Sequence, residues 1–256
     1  MITENAASAP KSAAVAAQPE LTLCELTTTD VDGLESFSPF CLKTHRALKL
    51  AGLKYTSRHA DNPAAHKPLS PTGQVPVLLV DGRAIADSTP ILREIERLRP
   101  GTLERGLDAR ARAEAWLWEE LADTALNGFL VAARWADEAN WPLVKNAYFA
   151  AMPGPVRAVV PALLRRNVLK ALHARDIWRA GADACWTRYE DLLDRLDARA
   201  PATGFWMGDA PSVADVALFA QLHGLRNRYT ARQSAMIASR KALSAWLDRV
   251  DAITKG

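Results

Sequence analysis

The 256-residue chain has little cysteine, little net charge and no long apolar run. Its three cysteines, Cys24, Cys41 and Cys185, are far apart and odd in number, so they indicate neither a disulfide framework nor a metal-ligand spacing. A formal net charge of +3 is too small to predict nucleic acid or an anionic membrane as the main partner. No apolar run reaches the roughly 18 to 20 residues that a membrane span requires.

Two further absences concern targeting and metals. Residues 1–20, "MITENAASAPKSAAVAAQPE", are rich in Ala, Ser and Pro but lack the basic and apolar regions of a secretion signal. We therefore expect a disordered tail there. The five histidines form no H-E-x-x-H pattern, so no metal is expected. These features together favour a soluble, cytoplasmic protein.

The first structured part of the chain begins with a strand and a helix. Residues 21–26, "LTLCEL", combine apolar and β-favouring side chains, which predicts a strand. From Pro39, apolar residues recur at intervals of three and four, which predicts a helix that ends at Gly52. Residues 54–60, "KYTSRHA", are then a second predicted strand.

A β-hairpin is the clearest local pattern in the sequence. The Asp-Gly dipeptide at 81–82 lies between two apolar runs, as in a two-residue hairpin turn. Asp87 and Ser88 then precede an amphipathic segment that ends at Pro100, which predicts a capped helix. The order strand, helix, strand, hairpin, helix predicts a small α/β unit over residues 21–100.

The remainder of the sequence is predicted to be helical. Residues 101–256 contain no convincing strand pattern, and residues 107–139 predict one long helix. The prolines within residues 152–173 are expected to break the helix there. Ser212 and Asp215 form an S-x-x-D capping box, which predicts the start of a buried helix and no catalytic role.

A serine and a cysteine stand at the start of the first predicted helix, in "SPFC" at residues 38–41. Ser38 is a preferred N-cap residue, and Pro39 suits the first helical position. Cys41 lies one turn further on and has two interpretations. It is a core thiol, or it is a nucleophile, because a helix N-terminus lowers the pKa of a thiol. The residues alone leave both possibilities open.

Three motifs in order resemble those of the glutathione transferases. "SPFCLKTHRALKLAGLKY" is similar to the first active-site turn and helix of that family, "GQVPVLLVDGRAIADSTPIL" to its cis-proline hairpin and next helix start, and "GDAPSVADVALF" to the capping box of its C-terminal domain. "ARWADEANWP" and "NAYFAAMP" add a narrower likeness to the metaxin-like branch that includes failed-axon-connections proteins.

The resemblance implies a domain organisation and a chemistry. It implies an α/β thioredoxin-like, glutathione-binding domain at residues 21–100 and an all-α helical bundle domain at residues 101–256. It also implies glutathione as co-substrate, a small electrophile as second substrate, and a homodimer.

The resemblance implies that the start of the first helix contacts the glutathione sulfur and that the start of the hairpin contacts the glutathione backbone. Ser38 would donate a hydrogen bond to the thiolate of glutathione, near the positive end of the helix dipole. Val75, preceding a cis Pro76, would present its backbone N–H and C=O to the cysteinyl part.

The two ends of glutathione are assigned to other positions. Asp87 would pair with the γ-glutamyl ammonium, and Ser88 would bind the γ-glutamyl carboxylate at a helix N-terminus. Gln74, with Lys67 or His66 in the preceding loop, would reach the glycyl carboxylate.

A hydrophobic substrate pocket is expected between the two domains. Arg134 is a candidate for binding an anionic group there, although a solvated helix face explains that residue more simply. The residues expected to line the pocket are Phe40, Trp116, Arg134 and Trp135.

Three functions remain possible at this stage. The first is a glutathione transferase that acts through Ser38, and the second is a non-catalytic, metaxin-like binding or scaffold protein. The third, a glutathione-dependent thiol reductase that acts through Cys41, is the least favoured, because "SPFC" lacks the first cysteine of a C-x-x-C motif.

Overall fold

A computed structural model describes residues 18–60, 63–150 and 152–255. Of the expected disordered tail, residues 1–17 lie outside the described residues. The side-chain amide of Gln18 donates to the Lys54 carbonyl oxygen at 2.6 Å, and the backbone N–H of Glu20 donates to Asp81 Oδ1 at 2.8 Å.

The N-terminal part is a four-stranded mixed sheet with one helix after the first strand and one after the last. The strand order is β2-β1-β3-β4, with β1 parallel to β2 and antiparallel to β3, and β3 antiparallel to β4. The elements are β1 (Leu21–Leu26), α1 (Pro39–Leu50), β2 (Thr56–Ala60), a 3-10 turn (Pro63–His66), β3 (Val77–Val80), β4 (Arg83–Ala86) and α2 (Ser88–Leu98).

The second part is helical. A continuous helical segment runs through α3 (Ala109–Leu121), a π segment (Ala122–Leu126), α4 (Asn127–Val131) and a second π segment (Ala132–Ala136). Then follow α5 (Trp141–Tyr148), α6 (Gly154–Ala174), α7 (Gly181–Arg199), α8 (Val213–His223), a 3-10 turn (Arg228–Thr230), α9 (Ala231–Ala238) and α10 (Lys241–Thr254). The expected α/β unit followed by a helical part is confirmed.

Local turn chemistry explains the boundaries in the N-terminal part. Asp81 and Gly82 have positive φ angles of 49° and 81°, as the tight turn between β3 and β4 requires. Gly52 has a φ angle of 61° immediately after the end of α1, as expected for a glycine that terminates a helix. No helix among the described residues combines the length and the apolar character needed to cross a bilayer.

The prediction that prolines break the helix over residues 152–173 was wrong. Helix α6 is continuous from Gly154 to Ala174, with Pro161 inside it. Pro155 lies in the first turn, where no backbone N–H partner is needed. Pro161 removes one backbone hydrogen bond, but the residue is buried, and α6 packs on the second π segment.

Helix α1 joins the two parts through two buried cations. Lys43 Nζ lies 2.9 Å from Glu119 Oε1 and 2.5 Å from Asp123 Oδ2, and the lysine side chain is fully buried. Thr89 Oγ1, at the start of α2, donates to the same Glu119 oxygen at 2.7 Å. Burial raises the pKa of Asp123 to about 6, although the nearby ammonium of Lys43 acts in the opposite direction.

The second buried cation, Arg46, reaches the end of the chain. Its Nη1 donates to Asp251 Oδ1 at 2.7 Å and to Thr254 Oγ1 at 3.3 Å. Its Nε donates to Glu35 Oε2 at 3.1 Å, and its guanidinium lies 4.9 Å from the centre of the Phe219 ring. Because both cations bond to groups of the helical part, α1 is fixed against that part by polar contacts as well as by packing.

The capping box predicted at the start of α8 is confirmed as a structural element. The backbone N–H and the hydroxyl of Ser212 both donate to Asp215 Oδ2, at 2.9 and 2.8 Å. The other oxygen of Asp215 accepts from the Trp206 backbone N–H at 2.7 Å and from Trp246 Nε1 at 2.9 Å. The Asp215 carboxylate thus joins α8 to α10 and to the loop before α8.

We expect Ser212→Ala to lower the free energy of unfolding by about 1 kcal/mol, because it removes one hydroxyl donor from a buried carboxylate. Urea denaturation measures the change. Ser212→Thr keeps the hydroxyl and serves as the control. A loss as large in the threonine variant as in the alanine variant would assign the effect to packing instead.

Candidate glutathione site

Ser38 caps helix α1, and among the residues that the structure describes its hydroxyl proton has no acceptor. Its Oγ accepts a hydrogen bond from the Cys41 backbone N–H at 3.3 Å, and its own N–H donates to Ser36 Oγ at 3.2 Å. The side chain is half-buried, and Pro39 occupies the first helical position. A hydroxyl that accepts through its oxygen can still donate through its proton, so Ser38 can cap the helix and stabilise a nearby anion at once.

Cys41 lies in an environment that opposes thiolate formation. Its side chain is fully buried, and burial raises the pKa of its thiol to about 12, although the hydroxyls of Ser38 and Ser36 act in the opposite direction. A thiol with such a pKa is almost entirely neutral near pH 7 and is a poor nucleophile. Its burial therefore favours the core interpretation over the catalytic one.

The other two cysteines are also buried. Burial raises the pKa of the Cys185 thiol to about 12 and also raises the pKa of the Cys24 thiol. We therefore expect a water-soluble disulfide reagent to modify none of the three within minutes in the folded protein, and all three after denaturation. Absorbance of the released thiol measures this. Rapid modification of Cys41 alone in the folded state would restore the reductase hypothesis.

The start of β3 and the start of α2 meet at a cis proline. The Val75–Pro76 peptide bond is cis, and the backbone N–H of Asp87 donates to the Pro76 carbonyl oxygen at 3.2 Å. Within the described residues, neither the N–H nor the C=O of Val75 makes a hydrogen bond. The backbone of this half-buried residue is thus open to an extended ligand.

The N-terminus of α2 carries a polar pair in different environments. Asp87 has a φ angle of 79°, and its exposed carboxylate accepts from the Thr89 backbone N–H at 3.2 Å. Ser88 is buried in the first helical position. The Thr89 N–H is taken by Asp87 and Pro90 has no N–H, so among the described residues of this first turn only the Ser88 N–H is left for a carboxylate. An acidic cap beside it can receive an ammonium.

The two residues expected to reach a glycyl carboxylate, Lys67 and Gln74, are both next to Gly73, Lys67 in space and Gln74 in sequence. Lys67 and Gln74 are exposed, and the Lys67 stem crosses Gly73 so closely that a Cβ there would lie 3.0 Å from its Cγ. His66, the alternative to Lys67, is buried, and its Nε2 lies 3.0 Å from the Glu25 carbonyl oxygen. Lys67 is therefore the better placed of the two.

A cavity of about 450 Å³ lies directly beside Ser38 in the chain, at Phe37. The Phe37 ring packs against Tyr148 and Tyr229, with ring centres 5.0 and 5.6 Å apart. The Tyr229 hydroxyl donates to Asp30 at 2.8 Å. The cavity is lined by Thr28, Asp30, Phe37, Leu143, Asn146, Ala147, Ala150 and Tyr229.

Most residues that line this cavity were not identified from the sequence. Phe37 adjoins Ser38, so proximity to the motif would have been a usable signal. Tyr229 and Leu143 come from distant parts of the helical half, and nothing in their local sequence marks them. Of the residues expected to line the pocket, none borders this cavity within the described part of the chain.

Those expected pocket residues occupy other positions. Phe40 is half-buried, with Lys43 Nζ 5.8 Å from its ring centre. Trp116 lies under the Arg93 guanidinium and donates through Nε1 to Glu104 at 2.9 Å. Trp135 packs against Trp141, with ring centres 5.4 Å apart, and against Tyr148.

Arg134 is buried and hydrogen-bonded to neighbouring groups of the protein. It donates to the Phe37 carbonyl oxygen, to the Tyr148 hydroxyl at 3.0 Å and to the Gly224 carbonyl oxygen at 2.5 Å. Only 4% of its surface is exposed, so the interpretation as a solvated helix face was wrong. Arg134 instead fixes Phe37, and with it the segment before Ser38, to the helical part.

Comparison with known protein families supports these assignments of fold. The glutathione S-transferase N-terminal domain matches residues 39–140, and the glutathione S-transferase C-terminal domain matches residues 177–249. The two matches together span more than half of the chain.

Two curated relatives show a narrower likeness. Failed axon connections of Drosophila melanogaster is 28% identical over 212 residues, covering 75% of this chain and 48% of its own length. Metaxin-1 of Mus musculus is 25% identical over 161 residues, covering 60% of this chain and 50% of its own. The chain thus spans about half the length of the curated relatives it matches.

Solved structures agree with the fold at low identity. Glutathione transferase GSTFuA3 from Phanerochaete chrysosporium aligns with a TM-score of 0.66 at 18% identity, covering 93% of this chain and 98% of its own. A glutathione transferase family member from Pseudomonas fluorescens, crystallised with two glutathione bound, has a TM-score of 0.57 at 18% identity, covering 90% and 88%. Both domain types are matched, in the expected order. The chain therefore belongs to the glutathione S-transferase superfamily and is similar in sequence to its metaxin-like members.

Proposed function

We propose that the protein is a glutathione transferase that holds glutathione as a thiolate through Ser38. The observation that carries the proposal is the Ser38 hydroxyl, which caps α1 through its oxygen and, within the described part of the chain, donates its proton to no acceptor. The burial of Cys41 supports the same conclusion, because it leaves the serine as the better placed group for a ligand sulfur.

Ser38 would act by making the thiolate easier to form. The ordinary pKa of a thiol, about 8.5, leaves only a small fraction ionised near pH 7. A hydrogen bond from Ser38 and the positive end of the α1 dipole both favour the anion, so they lower that pKa. The thiolate then attacks the electrophilic carbon, forming a carbon–sulfur bond while the leaving group departs with its electron pair.

The remaining contacts would hold the rest of glutathione. The unpaired backbone groups of Val75 suit the cysteinyl peptide, in the manner of an added strand. Asp87 and the N-terminus of α2 at Ser88 suit the ammonium and carboxylate of the γ-glutamyl end. Lys67 and Gln74 suit the glycyl carboxylate at the opposite end.

The cavity at Phe37 suits a neutral, apolar electrophile. Five of its eight lining residues are aromatic or aliphatic, and Thr28 and Asn146 are polar but uncharged. Asp30, the one acidic side chain among the lining residues, is already paired with Arg228 at 2.6 Å. No cation in the lining would compensate an anionic substrate. We therefore propose a small hydrophobic electrophile as the second substrate. From the resemblance to the family, we also propose that the active form is a cytoplasmic homodimer.

The first experiment is a titration of the protein with glutathione by calorimetry, together with a conjugation assay on a model aryl halide. We expect saturable binding, and product formation that depends on protein concentration. Absence of glutathione binding would contradict the proposal.

A non-catalytic binding role is the second candidate. It is favoured by the similarity to failed axon connections and to metaxin-1, neither of which carries the name of a transferase. The two candidates separate in the experiment above, because the binding protein would show no conjugation above the uncatalysed rate.

A further inference from the structure

Helix α6 exposes a row of apolar side chains on one face. Val156, Val159 and Leu163 are spaced by three and four residues, so they lie on the same side of the helix. They are 44%, 56% and 56% exposed, and Leu164 at the edge of the row is 41% exposed. A contiguous apolar row is unlike the scattered single apolar residues that are normal on a protein surface.

The opposite side of α6 is the one that packs on the protein. Pro161 and Leu172 are buried there, and the helix lies against the second π segment. Within the described residues, the exposed row has no neighbouring element packed over it. It is therefore available to something outside the chain.

The surroundings of this row are basic. Residues 139–175 contain six Lys and Arg residues and no Asp or Glu, although the whole chain has 29 acidic residues. Arg166 and Lys170 continue the exposed face three and seven residues after Leu163. In the described part of the chain, neither makes an ion pair, whereas their neighbour Arg165 is paired with Glu138 at 2.6 Å.

We propose that this face of α6 docks on the surface of a lipid bilayer that contains anionic lipids. The row of Val156, Val159 and Leu163 would lie at the level of the headgroups, and Arg166 and Lys170 would contact lipid phosphates. This combination of exposed apolar side chains with adjacent unpaired cations is the one that such a surface binds. The excess of basic residues is confined to this segment, so the net charge of the whole chain, only +3, does not reveal it.

A second copy of the chain fits this face less well. Two copies packed through it would set α6 against α6, and because residues 139–175 contain no Asp or Glu, that helix would offer no opposite charge to Arg166 and Lys170. An anionic bilayer instead supplies both an apolar layer and the opposite charge. The charge pattern therefore selects the bilayer over a homodimer here.

Co-sedimentation with lipid vesicles tests the proposal on the full chain. We expect binding to vesicles of phosphatidylcholine with phosphatidylserine, weak binding to phosphatidylcholine alone, and loss of binding at high salt. The double variant Val159→Gln/Leu163→Gln and the double variant Arg166→Gln/Lys170→Gln should each weaken partitioning by about tenfold or more.

Leu117→Gln is the matched control. Leu117 is 70% exposed on α3, outside the row, so its replacement should leave partitioning unchanged. Glutathione titration of each variant separates this proposal from the transferase proposal, since none of these residues belongs to the glutathione site. Equal binding to both kinds of vesicle, an equal loss in the control, or a dimer that the Val159→Gln/Leu163→Gln variant abolishes would overturn the proposal.

Discussion

Ser38→Ala is expected to lower kcat/KM for glutathione conjugation by about 100-fold, within the range found when one donor to a developing anion is removed. The variant loses the proton that would stabilise the bound thiolate, but it keeps the contacts to both ends of glutathione. The apparent pKa of bound glutathione should therefore rise, while its dissociation constant changes little. Ultraviolet absorbance of the thiolate across a pH series measures the first quantity, and calorimetry the second.

The control for Ser38→Ala must account for its role as a helix cap. Losing the cap costs about 1 kcal/mol of stability, which leaves the protein folded but less stable. Ser38→Thr keeps both the cap and the hydroxyl and should retain most of the activity. Cys41→Ser should retain it as well. An inactive Cys41→Ser variant that is still folded, beside an active Ser38→Ala variant, would contradict the assignment of Ser38.

Lys43→Met is expected to lower the free energy of unfolding by about 3 to 5 kcal/mol. The replacement leaves Glu119 and Asp123 without the ammonium that both contact, in a site where Lys43 itself is fully buried. Breaking a buried ion pair from one side leaves a charge that neither water nor a partner compensates. Urea denaturation followed by tryptophan fluorescence measures the loss.

The pH dependence of this loss provides a second readout. Burial already raises the pKa of Asp123 to about 6, and removing Lys43 takes away the cation that holds it down. Below that pH the carboxyl is protonated and needs no cation. The difference between Lys43→Met and the unmodified protein should therefore be smaller below pH 6 than above it. A difference that is independent of pH would assign the effect to packing.

Lys49→Met is the matched control on the same helix. Lys49 pairs with Glu35 at 2.6 Å, but their side chains are 26% and 18% exposed, so water screens the pair. We expect a loss of no more than about 1 kcal/mol. An equal loss in the two variants would contradict the claim that burial, and not the ion pair as such, makes Lys43 important.

Local features of the fold could be predicted because their causes are local. The Asp-Gly turn at 81–82 and the helix end at Gly52 depend on φ angles that only a few residue types tolerate. The continuity of α6 through Pro161 could not be predicted in this way. Helix α6 packs against a segment about 30 residues earlier in the chain, and such a contact, which can offset the cost of an internal proline, is revealed by no local pattern.

In the candidate site, too, local features could be predicted and long-range contacts could not. The positions of Ser38, Asp87 and Ser88 at helix starts could be predicted because capping residues appear directly before a helical pattern. Their roles in binding stay predictions from the resemblance. Arg134 was misinterpreted because its acceptors, the carbonyl oxygens of Phe37 and Gly224, lie about 90 residues away on either side. A charged side chain in a helical sequence gives no sign of whether it meets water or carbonyl groups.

The position of Lys43 and Arg46 on α1 also restricts how this chain can be recombined with its relatives. The N-terminal part would be a convenient module to exchange, since it has its own sheet and ends in a short connection. Yet two cations of that module are buried against Glu119, Asp123 and Asp251 of the other part. A chimaera that replaced either half without the matching partners would bury uncompensated charge, so the two halves have to be inherited, or engineered, together.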